Sequence, residues 1–197
     1  MKFTFLRIVL LACLLSAQAA SATVVQASAV NQQPVLGASV LVTISIAGLD
    51  SPSPQSLAAF DLDLSFDPTI LALTGVSYGT GLDVLGLGSL QFTTESTHLV
   101  NLLEISLDDA ATLSALQGES FQLVALTFST IGVGTSDLAL TLNALGDANG
   151  ASIAAQGIDG SVQVIGPPLA VPEPGTPVML LAGLAVLAAF NRRRRGR

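Results

Sequence analysis

Two stretches of this chain, residues 39–47 and 60–66, keep large apolar residues at every second position, a spacing that suits a strand with one buried face. In the first, Val40, Val42, Ile44 and Ile46 share a side, with Leu41, Thr43 and Ser45 opposite. In the second, Phe60, Leu62, Leu64 and Phe66 alternate with Asp61, Asp63 and Ser65. The pattern returns with Leu103, Ile105 and Leu107 set against Glu104 and Ser106. It continues with Val124, Leu126 and Phe128 against Ala125 and Thr127, with Leu138, Leu140 and Leu142, and ends at Val162 and Val164. Each run is expected to be a strand whose apolar set faces a core. Turn chemistry separates them at Asp67-Pro68, at Tyr78-Gly79-Thr80-Gly81 and at Asp147-Ala148-Asn149-Gly150. Only residues 108–116 read as a helix, with Asp108 or Asp109 as N-cap. The expected fold is all-β, a sandwich of about nine strands over residues 23–166, long enough to be stabilised by core burial alone.

Charge separates this middle from the ends. Lys2 and Arg7 open the chain and Arg192, Arg193, Arg194, Arg195 and Arg197 close it, with no Lys or Arg between Arg7 and Arg192. All 14 carboxylates fall in that gap. A surface this acidic repels phosphate backbones, which argues against nucleic-acid binding. The single cysteine, Cys13, lies in the N-terminal apolar run, so the domain is expected to have neither a disulfide nor a thiolate site.

Both ends read as addresses. Residues 1–22 have the three parts of a secretory signal peptide: the basic start, the apolar run 8–15, and Ala20-Ser21-Ala22 as a cleavage site, with Ala17-Gln18-Ala19 as a second. Leu10-Leu11-Ala12-Cys13 is also close to a lipoprotein cleavage box, although the apolar run before it is very short. At the other end, a Pro-rich linker over 167–175 holds Val171, Pro172, Glu173 and Pro174. An apolar run, 178–190, follows inside an expected transmembrane helix at 176–191. At about 1.5 Å per residue that run covers roughly 20 Å, a marginal span that snorkelling arginines would extend. The tail 192–197, with Arg192, Arg193, Arg194 and Arg195, is expected on the cytoplasmic side and the acidic domain outside.

Pro172-Glu173-Pro174, the apolar run and the terminal arginines, in that order, resemble the PEP-CTERM sorting signal of exopolysaccharide-producing Gram-negative bacteria. The resemblance implies exosortase, a membrane-embedded cysteine protease-like transpeptidase, as a partner. It further implies an inner-membrane precursor cut near the motif and passed to the cell envelope, cell surface or extracellular matrix.

A second resemblance lies in the middle. Residues 57–71, an alternating strand ending in Phe66-Asp67-Pro68 and leading to Leu71, are similar to the early strand pair of cohesin domains. Residues 124–128 and 157–164 fit the same pattern. This implies a nine-stranded jelly-roll sandwich, a fold that binds dockerin modules through one sheet face in cellulosomes.

Little catalytic chemistry is available. A Ser-His-Asp triad would need His98, the one histidine, and no G-x-S-x-G elbow is present. Asp61 and Asp63 share a strand face, as paired carboxylates of a glycosidase could, but solvated alternation explains them equally well. With no tryptophan and Tyr78 the one tyrosine, stacking on sugars has little to use. Asp147, Asn149 and Asp159 are candidate calcium ligands in or near Gly-rich loops. The loop lacks the full EF-hand pattern, however, and an Asx-Gly turn is the simpler reading. No other cofactor is expected. The sequence thus points to an exported, non-catalytic surface or matrix protein with a protein-binding domain, or alternatively to a carbohydrate-binding or structural component of an exopolysaccharide biofilm matrix.

Overall fold

The alternating runs become strands because each apolar set finds a partner set across a sandwich. A computed structural model describes residues 23–50, 55–168 and 176–194. The expected signal peptide, the motif Val171, Pro172, Glu173 and Pro174, and Arg195 lie outside the described residues. The chain divides into two units, Met1–Gly166 and Pro167–Arg197.

In the first unit the strands are β1 (Thr23–Ala29), β2 (Ser39–Ala47), β3 (Leu57–Ser65), β4 (Leu71–Tyr78), β5 (Ser89–Glu95), β6 (Leu99–Ser106), β7 (Phe121–Thr130), β8 (Gly134–Asp147), β9 (Ala155–Ile158) and β10 (Gly160–Val164). They form two five-stranded sheets, ordered β4-β7-β2-β1-β9 and β10-β8-β3-β6-β5. Every pairing is antiparallel except β1 with β9. The core between the sheets holds Val40, Val42, Ile44 and Ile46 of β2, Phe60, Leu62 and Leu64 of β3, and Val124, Leu126 and Phe128 of β7, all buried. Phe66 packs edge-on against Phe128, ring centroids 5.0 Å apart, which closes one end.

The tenth strand comes from the last run. The ending 157–164 splits at Asp159. β9 joins the first sheet beside β1, and β10 crosses to the second beside β8. Gly160 makes the crossing possible, since a Cβ there would lie 2.6 Å from the Ala27 carbonyl oxygen.

One helix, α1 (Ala110–Leu116), links β6 to β7, with Asp109 accepting from the Thr112 N–H at 2.8 Å as N-cap. Asp108 turns away and accepts from the Val84 N–H, fastening the β4–β5 loop. The turn at residues 147–150 also forms as expected, with Asp147 Oδ1 accepting from the N–H groups of Asn149 and Ala151.

In the second unit α2 (Thr176–Arg194) is helical. Among the described residues no helix is long and apolar enough to cross a membrane. The helix expected at 176–191 lies within α2. The helix forms, but its apolar run falls short of a hydrocarbon core about 30 Å thick before Asn191 and the arginines close it.

Candidate functional site

The most informative departure from the sequence pattern is in β6. Leu103, Ile105 and Leu107 were expected inside and Glu104 outside, and the structure reverses them. Val100, Leu102 and Glu104 point into the sandwich and are buried, while Ile105 is 40% and Leu107 58% exposed. Pairing decides the phase. Leu102 sits opposite Leu62 and Glu104 opposite Phe60, both core residues of β3.

The reversal leaves apolar side chains on the outer surface of the second sheet. Leu103 is paired with Asp61 of β3 and Phe92 of β5, and Ile105 with Ala59 and Leu90. Phe92 is 57% and Leu90 45% exposed, so four large apolar residues from two adjacent strands form one outward patch. A shallow depression of about 370 Å³ adjoins it, lined by Ala59, Leu103, Ile105, Ala144 and Gly146 among others. The register shift between Asp61 and Leu62 against β8 lies at its edge.

A polar cluster borders the patch. Asn101 Nδ2 donates to Asp61 Oδ1 at 2.6 Å and to Asp63 Oδ1 at 2.8 Å, and Asn143 Nδ2 donates to Asp61 Oδ1 at 3.2 Å. Asp61 and Asp63 do share a face, as expected. One amide ties them together on that face, an arrangement unlike two carboxylates flanking a scissile bond.

Beneath the patch, Glu104 is a buried acid in a domain without Lys or Arg. Burial pushes its pKa above the ordinary glutamate value. Hydrogen bonds from Ser89 Oγ (2.5 Å) and Gln91 Nε2 (3.0 Å) to Oε1 hold part of that rise back, and the charge of Asp83 adds to it. These bonds also tie β5 to β6. Tyr78, at the end of β4 in the opposite sheet, secures β5 from across the sandwich. Its hydroxyl donates to the Phe92 carbonyl at 2.7 Å and lies 3.0 Å from Thr93 Oγ1, and its ring stacks near Phe60. Burial raises the pKa of this phenol as well.

The other sequence candidates are placed as follows. His98 lies exposed in the β5–β6 turn, where its carbonyl accepts from the Phe66 N–H. The three calcium candidates are not brought together. Asp147 and Asn149 form the turn after β8, whereas Asp159 Oδ1 accepts from the Leu140 N–H, seven residues back along the same strand. Among the described residues no group of three His, Cys, Asp or Glu side chains could hold a metal ion. Arg192 and Arg194 are exposed at the end of α2. Leu90 and Phe92 were missed. Their signal was present, since Leu90 and Phe92 alternate with Gln91 and Thr93, but the run follows the Gly-rich loop 79–88 and reads as part of it.

Comparison with known proteins accounts for both units. Residues 170–195 match the family model for the PEP-CTERM protein-sorting motif. A non-cellulosomal cohesin from Archaeoglobus fulgidus matches with a TM-score of 0.57 at 17% identity, covering 74% of this chain and 92% of that one. The cohesin of a type I cohesin–dockerin complex from Clostridium thermocellum matches at 0.59 and 11% identity, covering 74% and 100%. A type II cohesin domain from the cellulosome of Acetivibrio cellulolyticus matches at 0.59 and 17%, covering 72% and 95%. No curated protein sequence matches the chain. The molecule therefore joins a cohesin-like β-sandwich to a PEP-CTERM protein-sorting motif in one chain.

Proposed function

We propose that this chain is an exported precursor, sorted by exosortase through Val171, Pro172, Glu173 and Pro174, whose cohesin-like domain binds a protein partner through the outer face of β8-β3-β6-β5. The observation that carries the reading is the reversed phase of β6. A strand that buries a carboxylate, leaves Leu103 half-buried on the outer face and exposes Ile105 spends stability to present an apolar surface. Apolar anchors ringed by polar groups are the anatomy of a protein interface. The Clostridium thermocellum relative was solved in complex with a dockerin, which supports a protein as the kind of ligand. The polysaccharide alternative has less support. Phe92 is the one aromatic among the exposed large apolar side chains of the first unit's described residues, and the chain has no tryptophan. The proposal assigns the chain no reaction.

Sorting follows from the C-terminal signal. The short helix α2 would hold the precursor in the inner membrane with help from local bilayer thinning and snorkelling of Arg192 to Arg195, which would remain cytoplasmic. Cleavage near Pro172 to Pro174 would then release the domain to the envelope, surface or matrix of a Gram-negative host.

Two experiments test the two halves. Mass spectrometry of the mature chain from its native host should find a new C-terminus near residues 172–174 that disappears without exosortase. An intact C-terminus in both strains would remove the sorting half. Affinity capture from the host's envelope and extracellular fractions should recover a protein with the wild-type domain and lose it with Phe92→Asp. Equal capture by both would remove the interface half.

A further inference from the structure

A second exposed apolar surface lies where the chain leaves the sandwich, and the three segments that build it hold no charged residue. Three segments meet there: the β1–β2 loop (residues 30–38), the β7–β8 loop (131–133) and Ile165, just past β10. They are joined by hydrogen bonds. Leu36 N–H donates to the Ile165 carbonyl and Ile165 N–H to the Pro34 carbonyl, both at 2.9 Å, while Gly37 N–H donates to the Thr130 carbonyl at 3.0 Å. Thr130 Oγ1 donates to the carbonyls of Val35 and Ala38. On this bonded framework Val30 (72%), Val133 (59%), Ile131 (53%), Ile165 (39%), Leu36 (39%) and Val35 (38%) are all exposed. Loops are ordinarily polar, so six aliphatic side chains on three converging segments call for a partner.

We propose that this end is a lipid-resting surface, seated on the membrane while the precursor is still anchored. The inference rests on the anchored-precursor reading above. Two observations select lipid over other occupants. First, residues 30–38, 131–134 and 165–168 contain no charged side chain, although the domain is otherwise strongly acidic. Two carboxylates border these segments without entering them, Asp67 on the adjoining β3–β4 turn, which accepts from the N–H and hydroxyl of Thr69, and exposed Asp137 further along β8. The end bearing the β4–β5 loop also exposes Leu85 and Leu87, but beside Asp83, Asp108, Asp109 and Glu119, which an anionic leaflet repels. Second, Ile165 is separated from Thr176, the start of the apolar helix, by residues 166–175 alone. A tether of that length reaches at most about 35 Å, so the surface carrying Ile165 stays near any bilayer that takes up the helix. Aliphatic side chains on segments that carry no charge of their own gain from the headgroup–acyl boundary, where a carboxylate among them would be repelled. Exosortase cleavage would release the surface by cutting the tether.

The test uses the full chain, with Cys13→Ser, in vesicles of phosphatidylethanolamine and phosphatidylglycerol with brominated acyl chains. An environment-sensitive fluorophore is attached at Val133→Cys or, at the opposite end, at Leu87→Cys. The 133 label should lose several-fold more emission to the brominated lipid than the 87 label. Adding Ile131→Asp and Val30→Asp should abolish that excess while the chain still floats with the vesicles. Flotation with equal or no quenching at both positions would overturn the inference and leave the anchor standing. A blue-shifted but unquenched 133 label would overturn it in favour of a protein cover. Failure to float would overturn the anchor and this inference together.

Discussion

β3 and β6 are neighbours in one sheet, paired over seven residues, and they treat the same alternating pattern in opposite ways. In β3 the apolar phase, Phe60, Leu62 and Leu64, faces the core and the carboxylates face water. In β6 the more apolar phase faces water, and a carboxylate is buried among the core residues. The comparison separates two demands on a strand. β3 is written for stability alone, whereas β6 satisfies the core with Val100 and Leu102 and gives its remaining apolar residues to the surface.

The largest effect that would sharpen this contrast is on stability. Leu62→Ala should cost about 2–5 kcal/mol in urea unfolding, since it opens a cavity at a fully buried site. Ile105→Ala, one strand away on the outer face, should change stability by no more than about 0.5 kcal/mol. Similar losses for both would mean that the outer patch is packed against something in the free protein. Partner binding should show the reverse order. Phe92→Asp or Ile105→Asp should weaken capture by about 2 kcal/mol or more, as expected of interface anchors, while Leu62→Val should leave it intact. A smaller effect is expected at the clamp. Tyr78→Phe loses the hydrogen bond to the Phe92 carbonyl and should cost about 1 kcal/mol, with faster amide exchange confined to β5.

Acid dependence tests the cost of the β6 arrangement. A carboxyl whose folded pKa is raised favours the folded state when protonated. The Glu104 contribution is therefore fully present below the unfolded glutamate value and is lost as pH rises through its higher folded value. Asp67 and Asp109, held below the ordinary value chiefly by their bonds to Thr69 and Thr112, act oppositely, and their contribution disappears as pH falls through their lowered values. Glu104→Gln should remove the decline in stability above the ordinary glutamate range and leave the acid limb unchanged. A wild-type and variant difference that is flat with pH would mean that Glu104 does not titrate in this way.

Much of the fold was legible because β2, β3, β7 and β10 have one clearly apolar phase each, and Asp67-Pro68 and residues 147–150 mark their turns unambiguously. β6 was not. Both of its phases mix apolar and polar residues, with Asn101 in one and Glu104 and Ser106 in the other, so the sequence leaves the buried face undecided until register pairs Leu102 with Leu62. The division of residues 155–164 between two sheets was hidden for a similar reason, because the alternation continues across Asp159 while the chain changes partners. The candidate interface lay at the positions where local pattern and tertiary pairing disagree. The C-terminal signal was readable directly, since its order of motif, apolar run and arginines is carried by residue identity and needs no fold.

The central claim is that the outer face of β8-β3-β6-β5 is the binding surface. Photo-crosslinking in the native host tests it most directly, with benzoylphenylalanine placed at Phe92 on that face or at Leu41, a comparably exposed apolar position on the other sheet. A discrete protein adduct from position 92 and none from position 41 is the predicted result. Adducts from position 41 alone, or from neither, would contradict the claim.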